Sequence, residues 1–232
     1  MTRDTPFSNT PLTSASTSGR LMWLGTDIDY QSAWDLQSLM VAERADGAIP
    51  DTLLLLEHAP VYTAGPRAPQ EHVLGELAAP LVRTDRGGQV TYHGPGQLVG
   101  YPIVDLASKR LGPKAYVRRL EAALIEALAE FAVTSHSEDG LTGVWTSRGK
   151  IAAIGVKISR GISMHGFALN VGTDLAAYAP IVPCGIFDRA VTSMAEVLGE
   201  APRMDAVREA VARTLGERLS ATWVENPATV PL

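Results

Sequence analysis

The amino-acid sequence predicts an α+β fold in a single domain, with mixed or antiparallel sheets flanked by helices. Its 232 residues are 46% hydrophobic and 19% charged, which is enough apolar material for one sizeable core. Helical and strand patterns are intermixed without a regular βαβ alternation, and no internal repeat divides the chain. We expect a catalytic domain over residues 21–220, between a disordered N-terminal tail at 1–20 and a C-terminal tail at 221–232.

Helices are indicated where apolar residues recur at three- and four-residue spacing after a capping residue or an initial proline. A Ser193/Glu196 capping box, closed by Gly199, indicates one short helix. The other predicted helices run from Tyr30 to about Ala45 behind Asp29, from Pro113 to about Phe131, and onward from Asp205, which is expected to cap the last of them.

Strands are indicated by short apolar or alternating segments bounded by Gly and Pro. TLLLLE, at 52–57, is apolar almost throughout, as expected of a buried strand. The other predicted strands are LVRT at 81–84, QVTYH at 89–93, QLVGYPIV at 97–104, TGVWT at 142–146, KIAAIGVKIS at 150–159 and ISMHGFALNVG at 162–172. The last two are expected to form a hairpin across Arg160 and Gly161.

Composition argues against several functional classes. The net charge of −5 disfavours a general nucleic-acid-binding protein, because counterion release needs a basic face. No apolar run approaches the roughly 20 residues that cross a bilayer, and the first 20 residues lack the apolar core of a secretory signal. We therefore expect a soluble, cytoplasmic protein that binds no membrane. The single cysteine and the spacing of the five histidines predict neither a disulfide nor a metal site.

The stretch RGGQVTYHGPGQLVGYPI, at 86–103, combines strand alternation with five glycines. Glycine permits positive φ and lets a ligand approach the backbone closely, at an entropic cost that a plain hairpin has no reason to carry. We interpret the stretch as a binding segment; the alternative is a bulged hairpin with a structural His93. The Walker and GxGxxG patterns are absent from the chain, which disfavours a nucleotide site.

Cys184, in IVPCGIFD, is a candidate nucleophile. A thiol has an ordinary pKa of about 8.5 and is mostly protonated at neutral pH, so this role needs a base or a cation nearby. The sequence offers His93, His165 and Lys150. The alternatives are an inert buried cysteine and a strand-edge lysine that deters aggregation.

Together, RGGQVTYHGPGQLVGYPI, GKIAAIGVKI, HGFALNV, PCGI and VTS resemble, in this order, the lipoyl(octanoyl) transferases. These are the octanoyl-[acyl-carrier-protein]:protein transferases of lipoate biosynthesis. DTLLLLEHAPVYTAG, at 51–65, is similar to the family's early strand and loop, so the resemblance covers residues 21 to about 215. It implies a fold similar to the catalytic domain of biotin protein ligases and lipoate ligases.

The resemblance also implies a reaction and a site. An octanoyl group would pass from octanoyl-acyl carrier protein to a specific lysine of a lipoyl domain, in a 2-oxoacid dehydrogenase or the glycine cleavage H protein. It would form a thioester on Cys184, with Lys150 lowering the pKa of that thiol and acting as acid and base, and no cofactor is implied. The residues expected to contact the acyl chain and its carbonyl are Arg86, Gly87, Gly88, Gln89, Val90, Thr91, Tyr92, His93, Ala153, Ile154, Gly155, Gly166, Phe167 and Ala168.

Two other functions fit parts of the pattern. An ATP-dependent lipoate or biotin ligase of the same fold would form an acyl-adenylate and need no nucleophilic cysteine. A non-catalytic module that binds the carrier protein would need neither Cys184 nor Lys150, so the presence of both favours the transferase. Because carrier proteins are acidic, docking is expected on a local basic surface. The candidate cluster is Lys109, Arg110, Lys114, Arg118 and Arg119, and the alternative is a solvated helix face.

Overall fold

The structure is a computed structural model that describes residues 17–183 and 189–226. Its strands are β1 (Thr17–Trp23), β2 (Thr52–Leu56), β3 (Val61–Ala64), β4 (Leu81–Arg83), β5 (Val90–His93), β6 (Gln97–Ile103), β7 (His136–Glu138), β8 (Leu141–Thr146), β9 (Gly149–Ser159), β10 (Ile162–Asn170) and β11 (Ala221–Glu225). Its α-helices are α1 (Tyr30–Ala45), α2 (Pro113–Ala129), α3 (Met194–Leu198) and α4 (Met204–Leu219).

Eight strands form one mixed sheet in the order β11-β1-β2-β6-β10-β9-β8-β7. β1 is parallel to both of its neighbours, and the remaining pairs are antiparallel. A smaller sheet has the order β4-β3-β5. Mixed sheets flanked by helices confirm the predicted α+β class.

Helices cover both faces of the large sheet, and the central strand β2 shows why. Leu53 and Leu55 pack in a cluster that includes α2 and α4, whereas Leu54 and Leu56 pack in another that includes α1. Successive strand side chains point to opposite faces, so an apolar run is needed where both faces are covered. The prediction of a buried strand here is confirmed.

Local signals account for most of the predicted elements. Asp29 accepts a hydrogen bond from the Ser32 amide at the start of α1 (2.8 Å), as its capping role requires. Pro113 opens α2, and Arg160 and Gly161 turn between β9 and β10 with φ of +52° and +82°. The prediction for α4 was wrong in one detail: its N-cap residue is Arg203, and Asp205 lies in the first turn.

The ends of the domain differ from the prediction. Residues 17–20, assigned to the N-terminal tail, belong to β1, and residues 221–225, assigned to the C-terminal tail, form β11. These two strands pair in parallel, with Thr17 opposite Ala221, and so complete one edge of the large sheet. Among the described residues, no helix has the length and apolar character that a membrane span needs.

Candidate active site

The β9–β10 hairpin forms the base of the candidate site. It lines a narrow pocket with a cavity volume of about 40 Å³. Three cross-strand pairs line this pocket: Ala153 with Ala168, Ile154 with Phe167, and Gly155 with Gly166. The side chains of this part of the wall are therefore small or apolar.

The glycine-rich loop before β5 forms a wall of the pocket. The Gly87 amide donates to the Val156 carbonyl on β9 (3.0 Å), which fixes the loop against the hairpin. Arg86 is buried and donates at 2.8 Å to the carbonyl of Thr63, to the hydroxyl of Thr63 and to the carbonyl of Gln89. Its guanidinium therefore joins the loop to β3, since one rigid group serves acceptors on both.

His93 lies in the middle of a chain of hydrogen bonds whose donors and acceptors can be assigned in only one way. Gln97 uses its amide nitrogen as a donor to Asn170 (2.9 Å), so its oxygen accepts from His93 Nδ1 (2.7 Å). His93 Nε2 then accepts from the Thr63 hydroxyl (3.2 Å), which in turn accepts from Arg86. Burial, with the nearby His58 and Arg86, holds the pKa of His93 well below its ordinary value. Because both ring nitrogens are bonded, His93 holds the pocket wall in place and has no nitrogen free for proton transfer.

Two tyrosines line the pocket beside α1, and neither was predicted. Tyr101 donates its hydroxyl hydrogen to His58 Nε2 (2.7 Å), because His58 Nδ1 already donates to the Ile28 carbonyl (2.8 Å). Burial lowers the pKa of His58 to about 4, so this ring is neutral at neutral pH. Burial also raises the pKa of Tyr30 to about 12. Tyr30 and the neutral His58 ring are therefore polar groups that carry no charge at neutral pH.

Lys150 lies near the start of β9 and is 6% exposed. Its Nζ donates to the Thr142 carbonyl on β8 (3.0 Å) and lies 4.7 Å from the ring centroid of Trp145. Gly143, with φ of +124°, leaves space for the lysine, because a Cβ there would lie 3.2 Å from Lys150 Cε. Within residues 17–183 and 189–226, no carboxylate forms an ion pair with Nζ. Neutral groups thus hold the ammonium, and its charge is not cancelled by an acidic neighbour.

A second cavity, at Lys150, adjoins the hairpin pocket. Lys150 and Thr142 are among the residues that line this cavity, and Gly88, Gln89 and Ile154 line both it and the hairpin pocket. Lys150 therefore lies on the other side of a wall that the two cavities share.

Cys184 lies outside the described residues. The chain that follows it is described from Arg189, and it meets Lys150 directly. The Lys150 amide donates to the Ala190 carbonyl (2.9 Å), and the Thr192 amide donates to the Lys150 carbonyl (2.9 Å). The main chain on the C-terminal side of the cysteine therefore runs beside the predicted catalytic lysine.

The pocket glycines make room mainly for the protein itself. A Cβ on Gly166 would lie 2.2 Å from the Gly100 carbonyl oxygen on β6, and one on Gly155 would lie 2.6 Å from the Gly87 oxygen. Gly88 has φ of +89°, a conformation that favours glycine. Neighbouring backbone thus packs against Gly155 and Gly166, and Gly88 has a positive φ, which differs from the interpretation that a ligand approaches these positions.

Of the predicted binding residues, all except Gly87, Val90 and Tyr92 line the pocket. Val90 and Tyr92 alternate with Thr91 and His93 along β5 and pack on its other side, in a cluster with Tyr62. Gly87 contacts the hairpin through its amide. The pocket lining that the prediction omitted consists of Tyr30, Tyr101 and His165. In the part of the chain that the structure describes, no group of three His, Cys, Asp or Glu side chains could hold a metal ion.

Comparisons with known proteins identify the family. Residues 29–216 match the lipoyl protein ligase A/B catalytic domain. The chain is 49% identical over 219 residues to the octanoyltransferase of Mycobacterium leprae, an alignment that covers 89% of this chain and 92% of that protein. The chain belongs to the octanoyltransferase family. It is accordingly an acyltransferase, and the resemblance seen in its motifs is confirmed.

Solved structures with this fold are more distant in sequence. A bipartite lipoate protein ligase from Thermoplasma acidophilum, studied with its E2 lipoyl domain, matches with a TM-score of 0.69 at 18% identity over 92% of this chain and 88% of that one. The biotin protein ligase of Aquifex aeolicus, in complex with biotin and ATP, matches with a TM-score of 0.55 at 18% identity over 86% and 70% of the two chains. At these identities the likeness shows the fold alone, and it confirms the predicted relation to lipoate and biotin ligases.

Proposed function

We propose that this acyltransferase carries an octanoyl group from octanoyl-acyl carrier protein to a lipoyl-domain lysine, through a thioester on Cys184. The acceptors are the lipoyl domains of 2-oxoacid dehydrogenases and the glycine cleavage H protein. The observation that carries the proposal is that the Lys150 cavity shares Gly88, Gln89 and Ile154 with a largely apolar pocket along β9 and β10. The octanoyltransferase relatives support the acyl group, and the lipoate ligase studied with an E2 lipoyl domain supports the acceptor.

In the first half-reaction, the Cys184 thiolate attacks the carbonyl carbon of the donor thioester. A new carbon–sulfur bond forms, the bond to the carrier's sulfur breaks, and the leaving thiolate takes up a proton from the Lys150 ammonium, which leaves Lys150 neutral. A positive charge near a thiol favours its thiolate form. The Lys150 ammonium suits this role because no described carboxylate neutralises it and the Trp145 ring and a backbone carbonyl hold it in place.

In the second half-reaction, the acceptor lysine attacks the thioester on Cys184. A lysine amine is a nucleophile only when neutral, so a base must take its proton. The acceptor ammonium first loses one proton to water. The neutral amine then attacks, Lys150 in its neutral form accepts the second proton from the attacking nitrogen as the amide bond forms, and the Cys184 thiolate leaves. The proton then on Lys150 restores the ammonium that stabilises the thiolate, so one residue serves both half-reactions.

Carrier docking is proposed along α2. Lys114 and Arg118 line a groove that shares residues 140–142 with the Lys150 cavity, so a flexible arm can pass from this helix to the site. The remainder of the predicted basic cluster is partly engaged: Lys109 pairs with Asp51 (3.2 Å), and Arg119 donates to the Arg218 carbonyl (2.9 Å). Lys114→Glu with Arg118→Glu should raise KM for the octanoyl carrier protein but not for an octanoyl thioester of a small thiol. Equal changes in both values would reject this surface.

The decisive experiment is intact-protein mass spectrometry after incubation with octanoyl carrier protein, without acceptor and without ATP. The enzyme should gain one octanoyl group that hydroxylamine removes, and Cys184→Ser should gain none. An undiminished adduct on Cys184→Ser would reject the cysteine intermediate. A requirement for ATP and magnesium before any octanoyl transfer occurs would favour the ligase alternative.

A further inference from the structure

Two side chains bond the two ends of a single peptide group in β8. The Thr142 carbonyl accepts from Lys150 Nζ (3.0 Å), and the Gly143 amide of the same peptide group donates to Glu121 Oε1 on α2 (2.9 Å). The N–H and C=O of a trans peptide point in opposite directions, and no described peptide bond is cis. The Glu121 carboxyl group and the Lys150 ammonium therefore lie on opposite sides of this peptide group.

The backbone of β8 is irregular at this point. Gly143 has φ of +124°, and a Cβ there would lie 2.6 Å from the Ala152 carbonyl oxygen on β9. The pairing register of β8 with β9 shifts between Val144 and Trp145. Irregularities of this kind are common beside active sites, where they redirect individual groups. A side chain at position 143 would disturb the peptide group that Glu121 and Lys150 share.

Glu121 is a buried carboxylate without a cation. It is 8% exposed, and none of the ion pairs within residues 17–183 and 189–226 includes it. Burial of an unpaired charge is costly. The hydrogen bond to the Gly143 amide does not need a charge, because the oxygen of a glutamine side chain would accept it equally. A charged residue at this position points to a role beyond the hydrogen bond.

The shared peptide group can transmit both position and charge. A charged acceptor polarises the peptide to which it bonds, so the carbonyl at the other end becomes a stronger acceptor. The two hydrogen bonds and the peptide between them place Glu121 Oε1 within about 9 Å of Lys150 Nζ. At this distance, in a partly buried site, a carboxylate still favours the charged form of an amine.

Other charged groups lie near the two residues, but no ion pair in the described part of the chain joins them to either one. They are Lys114, Arg118, Glu138 and Asp139 in the groove that Glu121 lines, Arg67 in the cavity that Lys150 lines, His136 on β7, Arg189 beside Trp145, and Arg213 and Arg218 of α4, which pair with α2. Replacing Glu121 therefore breaks no ion pair among these groups.

We infer that Glu121 is a positioning residue, which holds the Lys150 ammonium in place and favours its charged form through the peptide group of Thr142 and Gly143. The inference rests on the proposed function, which gives this lysine its roles. Lys150 acts as an ammonium in the first half-reaction and as a neutral base in the second. The carboxylate on the far side of the peptide group helps to set the pH range in which the lysine serves both.

The first test measures the protonation of Lys150 itself. The chain has four lysines, so their Cε resonances in protein labelled with [ε-¹³C]lysine can be assigned with one Lys→Arg variant each. Glu121→Gln keeps an oxygen acceptor for the Gly143 amide but removes the charge. We expect the pH at which half of Lys150 is protonated to fall by about 0.5 to 1 unit in this variant.

Glu130→Gln is the matched control. It removes a carboxylate from the same helix, but at an exposed position nine residues further on, which corresponds to about 13 Å along the helix axis. Solvent screens a charge at such a position, so the half-protonation pH of Lys150 should change by less than about 0.2 unit.

The second test separates position from charge by single-turnover transfer from the octanoyl enzyme to a saturating lipoyl domain. Glu121→Ala removes both the acceptor and the charge and should slow this step at least about tenfold, since the peptide group loses a hydrogen bond to a charged group. Glu121→Gln should keep at least about a third of the unmodified rate. Each rate is normalised to the folded fraction, measured by circular dichroism.

An unchanged titration of Lys150 in Glu121→Gln would overturn the inference. So would equal transfer rates for folded Glu121→Ala and the unmodified enzyme, because the peptide group would then hold the lysine without Glu121. The titration needs no substrate, so it is independent of the reaction. Absence of octanoyl transfer in the unmodified enzyme would reject the proposed function, whereas normal transfer with an unchanged titration rejects only the role of Glu121.

Discussion

Replacing His58 with asparagine should make the protein less sensitive to mild acid. His58 is fully buried between the Ile28 carbonyl and the Tyr101 hydroxyl, and burial lowers its pKa from an ordinary value of 6.5 to about 4. The unfolded chain therefore binds a proton on this residue at a higher pH than the folded chain. Stability falls as pH decreases from 6.5 towards about 4 and is unaffected by this group above that window.

The size of the effect follows from the two pKa values. A shift of this size, at about 1.4 kcal/mol per unit, corresponds to about 3 kcal/mol of folding free energy lost across the window. Near the middle of the window this is a slope of about 1 kcal/mol per pH unit from His58 alone. Burial also lowers the pKa values of His93 and His165, so the unmodified protein should show a steeper total slope.

The assay is urea unfolding at a series of pH values for the unmodified protein and for His58→Asn. The variant is expected to be less stable at neutral pH, because asparagine cannot bond both partners of the ring, but its slope between about pH 6.5 and 4 should be smaller by about 1 kcal/mol per unit. His136→Asn, on the exposed strand β7, is the control and should leave the slope unchanged. Asp29 and Asp85, whose pKa values are lowered, contribute stability that is lost only as pH falls below their ordinary range. Equal slopes for all three proteins would show that His58 does not resist protonation in the folded state.

Three further outcomes follow from the site. Gly166→Ala should lower the midpoint of thermal unfolding by several degrees, because the new Cβ would collide with the Gly100 carbonyl. A variant with an unchanged midpoint that has lost only its ability to become acylated would contradict this. Lys150→Arg keeps a positive charge but cannot act as a base. Single-turnover measurements should therefore show that self-acylation is partly retained, whereas transfer to the lipoyl domain becomes at least tenfold slower. An unchanged rate of the second step would place the base elsewhere. Arg86→Lys should lower the free energy of unfolding, measured with urea, by about 2 kcal/mol, because an ammonium cannot reproduce the paired hydrogen bonds to Thr63. Arg83→Lys, on exposed β4, is the control. Equal free energies of unfolding for the two variants would refute this prediction.

Elements with a local signal were predicted well, and those that depend on distant pairing were not. The Asp29 cap and the turn at Arg160 and Gly161 are specified by a few adjacent residues, and the structure has both. β1 and β11 lie at opposite ends of the chain; β11 pairs with β1, and β1 lies between β11 and β2. Neither segment has a pattern that marks it alone, so residues 17–20 and 221–225 were assigned to tails. Asp205 fails as a cap because an acidic residue is equally favourable inside the first turn.

The same distinction applies to the candidate site. The motifs place the pocket wall at residues 86–93 and the hairpin at 153–155 and 166–168, and most of these residues line one pocket. The role of each glycine could not be predicted, because it depends on which backbone packs against it: the Gly100 carbonyl for Gly166, and the Gly87 carbonyl for Gly155. Tyr30 has no motif of its own, and it joins the pocket because α1 packs across the sheet.

The three side chains that the sequence offered as partners for the cysteine differ in their hydrogen bonds and in their positions. His93 has both ring nitrogens bonded, one to Thr63 and one to Gln97, so it has no lone pair or hydrogen to exchange. His165 has a free nitrogen, but it lies about 20 Å along the hairpin from Lys150. Lys150 has one hydrogen bond to a carbonyl and two further donor positions without a described partner, and the chain that follows the cysteine runs beside it. Of the three candidates, the lysine combines a position beside the chain that follows the cysteine with donor positions that have no described partner, which favours it for the proposed role of acid and base.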